Sequence, residues 1–212
     1  MTTVKVLQVI AVISIVLVGL LRAGQECGDR EPYWSTVAEQ LSCRGKNPVV
    51  VPAPNRQVYL YIDKEFLYVK RGQQAIFKTP VMPLLEVAWS PDSRSFFTTE
   101  SDGGLVGSWY ISVYVLSDRS VRRHDYTGCV RRSFRPFVHC DTAEVPNVAG
   151  IAWVDNTTLL VAAEVPPHSS CTNMGQYAGY SISIGAGRIL ARYSENEVRQ
   201  RWGTKLGRRL SQ

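Results

Sequence analysis

Apolar residues recur at every second position over much of the chain after residue 57, which predicts β-strands. In Val58 to Ile62, three apolar residues alternate with two tyrosines, and Glu65 to Lys70 (EFLYVK) follows after a short polar turn. This pattern predicts an antiparallel hairpin that Gly72 ends. A further short strand is expected at Ala75 to Lys78.

A stretch in the middle of the chain is echoed 64 residues later. Glu86 to Glu100 reads EVAWSPDSRSFFTTE and Gly150 to Glu164 reads GIAWVDNTTLLVAAE, so that Trp89 aligns with Trp153 without a gap. Each stretch predicts a strand, a tight turn and a strand, followed by a Gly-bearing loop, an alternating strand and a basic strand. The order of segments predicts two repeat units, at residues 86–124 and 150–193.

The first copy resembles a known repeat. Val87 to Thr98, VAWSPDSRSFFT, resembles the TolB-type, WD-like β-propeller repeat, in which a W-S-P-D-G turn joins two strands of one blade. The turn chemistry agrees, because Pro91 has the fixed φ of the second turn position and Asp92 can accept hydrogen bonds from nearby N–H groups. Trp89 and Trp153 offer flat apolar faces for packing between sheets. The resemblance covers about residues 86–193 and implies blade-like sheets, which serve binding scaffolds and enzymes alike.

The expected fold is therefore all-β, with antiparallel blade-like sheets in a partial or small propeller-like arrangement. A β-sandwich is the alternative, since closed propellers need about four to eight blades and this chain supplies two or three. We expect a short amino-terminal helix at Glu31 to Leu41, within a helix and extended connector at residues 24–56. The β domain then covers residues 57–193. A basic helix or tail at residues 194–212 begins with a capping box of Ser194 and Glu197.

The amino end carries an apolar run from Val6 to Leu21 (VLQVIAVISIVLVGLL). Sixteen residues of helix cover about 24 Å, short of the ~30 Å hydrocarbon core of a bilayer. A signal peptide at residues 1–23, cleaved after Ala23, is therefore favoured over a membrane anchor formed by residues 6–21. The expected location is secreted or periplasmic.

Five cysteines follow this run, and export would permit disulfides. Because each pair closes a short polar segment, Cys27 is expected to pair with Cys43 and Cys129 with Cys140. Cys171 is then the odd thiol. No metal site and no cofactor are expected, because the chain contains no C-x2-C pair.

Composition describes an ordinary globular chain, with 45% hydrophobic residues, 20% charged residues and a net charge of +6. Positive charge is clustered, and Arg131, Arg132 and Arg135 are interleaved with aromatic residues. Such arginines can form bidentate contacts with carboxylates or phosphates. The long loop from Val165 to Gly179, with His168, and the turn at Asp102 are the other candidate binding elements.

Catalytic motifs are scarce. The chain contains no G-x-S-x-G, H-E-x-x-H, Walker A or G-x-G-x-x-G sequence. Glu100 and Glu164 occupy equivalent positions and are the best pair of carboxylates for general acid and base work, with Asp102 as a further candidate. The alternative function is therefore an exported carbohydrate-active hydrolase.

The favoured function is a secreted or envelope-associated, non-enzymatic binding or structural protein that contacts a protein or an anionic polymer. Nucleic acid is not an expected partner, because of the export signal. Membrane-surface contact through the carboxyl-terminal helix and self-association through incomplete sheets are further expectations.

Overall fold

The computed structural model describes residues 32–41, 48–63, 65–103 and 108–211. About 48% of the chain is strand, arranged in three antiparallel sheets with two short helices. The all-β class expected from the period of two is therefore confirmed. The apolar run at residues 6–21 and the pair Cys27 and Cys43 lie outside the described residues.

Each sheet takes its strands from one continuous part of the chain, apart from one short strand near the amino end. The first sheet contains β2 (Val49–Pro52), β3 (Val58–Ile62), β4 (Phe66–Arg71) and β5 (Gln74–Pro80). The middle sheet contains β1 (Glu39–Gln40), β6 (Leu84–Trp89), β7 (Ser95–Ser101), β8 (Trp109–Leu116) and β9 (Val121–Asp125). The third sheet contains β10 (Asn147–Trp153), β11 (Thr158–Glu164), β12 (Tyr177–Ser183) and β13 (Arg188–Tyr193).

The turn that joins the first two long strands is built alike in the first and middle sheets. In the middle sheet, Ser90 N–H bonds to Ser95 O at 2.7 Å, and the Asp92 carboxylate accepts from Arg94 N–H at 3.0 Å. In the first sheet, Ala53 N–H bonds to Val58 O at 2.9 Å, and the Asn55 side chain accepts from Gln57 N–H at 2.9 Å. Pro54-Asn55-Arg56 is thus the structural counterpart of Pro91-Asp92-Ser93.

Both turns also place a non-glycine residue in the left-handed region, Arg56 at φ 58° and Ser93 at φ 63°. This conformation explains why the W-S-P-D-G pattern ends in glycine, which adopts positive φ without a steric cost. The sequence comparison missed this third copy of the turn because the first sheet has Pro52 where the other two sheets have tryptophan.

The middle sheet lies between the other two, because its strands bury residues on both faces. Phe96 packs among Leu60 and Leu67 of the first sheet, whereas Phe97 packs among Leu159 and Val161 of the third. All are fully buried. Adjacent strand residues point to opposite faces, so the consecutive phenylalanines serve two different cores. Burying each ring contributes roughly 2–3 kcal/mol.

Trp89 and Trp153 make the same joint between successive sheets. Trp89 donates its indole N–H to Val51 O in the first sheet, and Trp153 donates its own to Ala88 O in the middle sheet, each at 3.2 Å. Both rings are half-buried. The equivalence inferred from the aligned sequences therefore extends to hydrogen bonding as well as to strand order.

The predicted amino-terminal helix is wrong. In the described part of Glu31 to Leu41, most of the hydrogen bonds of the backbone join distant residues. Tyr33 and Trp34 N–H both donate to the Glu86 carboxylate, and Thr36 N–H donates to Lys205 O. The segment then pairs with β6 as β1. Helical spacing of apolar residues was a local signal, and these contacts with distant strands outweighed it.

The outer face of the third sheet is covered by both ends of the described chain. Helix α2 (Glu195–Trp202) begins with the predicted capping box of Ser194 and Glu197. Its Val198 is buried against the sheet together with Leu206 and Trp34, and Trp202 packs edge-on against Tyr193. The apolar stripe of the carboxyl-terminal helix thus faces the protein interior.

None of the helices in the described part of the chain combines the length and the apolarity needed to cross a membrane.

Candidate functional site

A cleft of about 540 Å³ lies beside helix α1 (Thr127–Phe134) and the segment that follows it. This size lies within the usual range for small-ligand pockets. Its polar lining comes from Arg131, Arg132, Arg135, Asp141, Thr142 and Glu144. Its other lining residues are Val138, Cys140, Ala143, Val145 and Pro146. We call this feature the arginine cleft.

Helix α1 was not among the helices expected from the sequence. The helix begins where the Asp125 carboxylate accepts a hydrogen bond from Thr127 N–H at 2.8 Å. Val130 and Phe134 lie four residues apart and are both buried in the core between the middle and third sheets. This spacing puts the buried residues on one face of the helix and leaves Arg132 and Arg135 exposed.

The predicted disulfide between Cys129 and Cys140 is wrong, because Cys140 pairs with Cys171. Cys129 is a half-buried free thiol that donates to Tyr126 O, and burial raises its pKa. Helix formation explains the error, since it turns Cys129 toward its own helix. The disulfide also excludes Cys140 and Cys171 as thiolate ligands for a metal.

The disulfide fastens the long loop from Val165 to Gly179 to the lining of the arginine cleft. Thr172 N–H donates to His139 O at 2.9 Å, and the hydroxyl groups of Thr142 and Ser170 lie 2.7 Å apart. The Asn173 side chain also donates to Phe137 O at 2.7 Å. Two elements that the sequence suggested as separate contact surfaces are therefore joined into one.

The three arginines of the cleft differ in their contacts. Arg131 is half-buried, and its guanidinium donates to Pro146 O at 2.8 Å and to Trp109 O at 3.1 Å. It also lies 4.7 Å from the centre of the Tyr110 ring, and burial lowers its pKa. Arg131 therefore holds the cleft wall in place.

Arg132 and Arg135 are exposed, and neither guanidinium group forms a hydrogen bond or an ion pair with any other described residue. These two guanidinium groups are the ones that remain available to a ligand. Each offers a planar set of N–H donors that matches a carboxylate or a phosphate.

Two acids also line the cleft, and neither was among the predicted binding residues. Glu144 accepts from Ser170 N–H at 3.4 Å, and Asp141 is exposed next to the disulfide. The lining also includes apolar residues directly after Glu144, with Val145 47% exposed beside Pro146. The cleft thus combines cationic, acidic and apolar groups, as a site that recognises a peptide segment would.

Two predicted binding residues do not line the arginine cleft. His168 is exposed in the Val165–Gly179 loop, and Asp102 is exposed just beyond the end of β7. The fold does not bring either residue next to the three arginines, and a binding role for each stays a prediction.

The carboxylates considered for catalysis lie in different sheets, Glu100 in β7 and Glu164 in β11. Glu100 accepts from the Thr98 hydroxyl at 2.7 Å and from Met82 N–H at 3.1 Å. Glu164 forms a bidentate ion pair with Arg209, whose Nε lies 2.8 Å from Glu164 Oε1. Burial raises the pKa of Glu164, and Arg209 opposes this rise. Both acids are buried and engaged by structural partners.

A third carboxylate, Glu86, was missed by the sequence reasoning. It is 1% exposed, and burial raises its pKa to about 7. Hydrogen bonds from the backbone N–H groups of Trp34 and Tyr33 lower the pKa and so oppose this effect. The signal for it was present, because Glu86 is the one charged residue in the apolar strand LLEVAW. Its role is to hold the amino-terminal segment.

No family model matches the chain, and neither does any curated protein.

Proposed function

We propose that this protein is a non-enzymatic binding protein that grips an acidic protein segment in the arginine cleft. The observation that carries the proposal is the exposure of Arg132 and Arg135, without partners among the described residues, beside a 540 Å³ cleft. Unpaired guanidinium groups beside an apolar wall favour a ligand that carries carboxylates and an apolar side chain.

The construction of the cleft supports the proposal. Arg131 is fixed by backbone carbonyls, and the lining segment at Cys140 is fixed by the Cys140–Cys171 disulfide. A site whose walls are held in this way loses little conformational entropy when it binds. Arg132 lies on helix α1 and Arg135 follows it directly, and the helix is itself anchored by buried Val130 and Phe134.

The alternative, an exported hydrolase, has weaker support. A glycosidase needs two carboxyl groups about 5–10 Å apart across an open cleft. Glu100 and Glu164 are 6% and 2% exposed, respectively, and each is already hydrogen-bonded. Asp102 does not line the arginine cleft.

The disulfide indicates a compartment outside the cytosol. We extend this to a secreted or periplasmic protein whose signal peptide is residues 1–23. We also propose that the protein is a partial relative of the TolB-type propeller scaffold. The stacking of its three blade-like sheets is consistent with this relationship.

Charge reversal tests the proposed function. The double variant Arg132→Glu, Arg135→Glu should lose at least about tenfold in affinity for a fluorescent hexaglutamate peptide bearing a carboxyl-terminal leucine, measured by anisotropy. The matched control is Arg122→Glu, Arg188→Glu, which reverses two exposed arginines on β9 and β13.

Binding by the wild type should weaken as salt is raised, and the cleft variant should lose most of that dependence. The proposal is wrong if the cleft and control variants bind the peptide equally well. It is also wrong if the wild-type chain does not bind the peptide at low salt.

A further inference from the structure

The outer face of the first sheet carries a cluster of aromatic rings and lysines. The inner face of this sheet packs on the middle sheet through Leu60, Leu67 and Val69, all fully buried. Because successive strand residues alternate between faces, the residues between them point outward. The outward set comprises Tyr59, Tyr61, Phe66, Tyr68, Lys70 and Lys78, which we call the aromatic face.

The strand register places these side chains in rows across the sheet. Val50, Tyr61, Tyr68 and Lys78 lie opposite one another on four neighbouring strands. Next to this row, Pro52, Tyr59, Lys70 and Ala75 form a second row. Neighbouring strands are about 4.8 Å apart, so the rows span roughly 14 Å.

Contacts within the face bring its lysines onto its rings. Lys70 Nζ lies 4.1 Å from the centre of the Tyr61 ring, and Lys78 Nζ lies 3.7 Å from the centre of the Phe66 ring. The Tyr61 and Tyr68 rings meet edge-to-face, with their centres 5.9 Å apart. The Tyr59 hydroxyl donates to Gly72 O at 2.7 Å. The rings and ammonium groups are therefore held as one ordered surface.

No described element covers the aromatic face. The corresponding outer face of the third sheet is covered by Trp34, Val198 and Leu206, which come from the two ends of the described chain. On the first sheet the outward rings are half-buried, and Val50 is 55% exposed. As far as the described residues go, this face is available to a partner.

The charge on the face distinguishes between partners. Lys70 and Lys78 point outward, and the nearest described acids, Asp63 and Glu65, lie at one edge in the turn between β3 and β4. Asp63 accepts hydrogen bonds from the N–H groups of Glu65 and Phe66, and Lys78 also helps to hold the pKa of its carboxyl below the usual value. Two copies of the face placed together would bury Lys70 and Lys78 of both copies with acids only at one edge, which is unfavourable because buried charges need partners. A second copy of the chain is therefore disfavoured, and an anionic partner is favoured.

We propose that the aromatic face binds an acidic polysaccharide chain. The half-buried aromatic rings of this outer face offer apolar edges and faces on which sugar rings can stack, and Lys70 and Lys78 are placed among them to meet carboxylate groups along the chain. A single-stranded nucleic acid would meet the same rings and charges. The disulfide indicates a compartment outside the cytosol, which favours the polysaccharide. The aromatic face lies on the first sheet, whereas the arginine cleft is formed by helix α1 and the segment after it, so this inference does not depend on the proposed function.

The test uses the full chain and immobilised polygalacturonate, with fully methyl-esterified polygalacturonate as the neutral probe. The wild type should bind the acidic polymer and should bind the esterified one at least about tenfold more weakly, with an affinity for the acidic polymer that falls as salt rises. The variant Lys70→Gln, Lys78→Gln should reduce the affinity for the acidic polymer about tenfold and should lower its salt dependence. The control Arg122→Gln, Arg188→Gln removes the same charge elsewhere and should leave both unchanged.

The rings are tested separately from the charges. Tyr61→Ala, Tyr68→Ala should weaken binding about tenfold, whereas Tyr61→Phe, Tyr68→Phe keeps the rings and should bind like the wild type. Circular dichroism verifies that each variant is folded, and the lysine pair supplies the result if the alanine pair does not fold.

The inference is overturned if the wild type fails to bind polygalacturonate, or if the lysine pair binds it as tightly as the wild type. Preferential binding of a dT20 oligonucleotide would overturn it in favour of nucleic acid. Light scattering that showed a dimer which the tyrosine variants dissociate would overturn it in favour of self-association.

Discussion

Trp153 donates its indole N–H to the backbone carbonyl of Ala88 in the sheet before its own, at 3.2 Å. Trp89 makes the equivalent bond to Val51 O, one sheet earlier. Val51 and Ala88 stand two residues before the corresponding turn residues Ala53 and Ser90, so the two bonds are copies of one joint. Each tryptophan therefore fixes how one sheet is placed on the preceding one.

Replacing either tryptophan by phenylalanine tests this joint. Trp153→Phe keeps an aromatic ring but leaves Ala88 O without its indole donor, so the free energy of unfolding should fall by about 1–2 kcal/mol in urea titrations. Trp89→Phe should cost a similar amount. The control is Trp202→Phe, because within the described residues the Trp202 indole N–H makes no hydrogen bond. Losses that differ widely between Trp89 and Trp153 would contradict an equivalent joint.

The two turns with positive φ predict a stabilising change. Arg56 has φ 58° and Ser93 has φ 63°, a region that costs a side-chain-bearing residue about 1 kcal/mol relative to glycine. Arg56→Gly should therefore raise the free energy of unfolding by about 0.5–1 kcal/mol. Arg94→Gly places glycine where φ is not positive and should lower it. Thermal denaturation of the two variants should shift in opposite directions, and a fall for Arg56→Gly would refute the argument.

Stability should depend on pH through Glu86. Burial raises its folded-state pKa from 4.5 to about 7, so the folded protein holds a proton that the unfolded chain releases between these values. Stability from this group is therefore complete below about pH 4.5 and is lost as the pH rises to about 7. The loss amounts to about 3 kcal/mol.

Glu86→Gln removes this titration and keeps an oxygen that accepts from Tyr33 and Trp34 N–H. The stability of the variant relative to the wild type should rise between pH 5 and pH 8, as measured by urea unfolding at several pH values. Glu65→Gln, at an exposed position, is the control and should show no such trend. A difference that stayed constant with pH would show that Glu86 is not protonated in the folded protein.

Removing the Cys140–Cys171 disulfide should destabilise the protein and loosen the arginine cleft. The bond closes a loop with a sequence separation of 31, for which chain entropy predicts a loss of about 3–4 kcal/mol in Cys140→Ser, Cys171→Ser. Cys129→Ser changes a free thiol and should cost about 1 kcal/mol. Non-reducing peptide mapping should recover Cys140 joined to Cys171, and a peptide joining Cys129 to Cys140 would contradict the structure.

Local sequence patterns were sufficient to predict much of the fold. They predicted the hairpin of β3 and β4, the two tryptophan-centred units and the capping box of α2. Each of these features depends on residues that are close together in the sequence. The first sheet was recognised only in part, because its turn keeps proline and a side-chain acceptor at Asn55 but lacks the tryptophan.

The elements predicted wrongly are those decided by distant residues. The apolar residues of Glu31 to Leu41 have helical spacing, yet the backbone N–H groups of this segment donate hydrogen bonds to Glu86 and Lys205. Cys129 and Cys140 are near in sequence, yet Cys171 is the partner of Cys140 because the Val165–Gly179 loop returns beside the segment after α1.

The all-β class, the duplicated strand order and the cluster that contains Arg131, Arg132 and Arg135 follow from residue types at fixed short spacings, which a reading of the chain can detect. The folded arrangement was needed to show that Arg131 supports the cleft while the guanidinium groups of Arg132 and Arg135 remain free. It also decided that the tyrosines of the first sheet share an uncovered face with two lysines. Both outcomes depend on which strands and loops become neighbours, and packing between distant segments settles that choice.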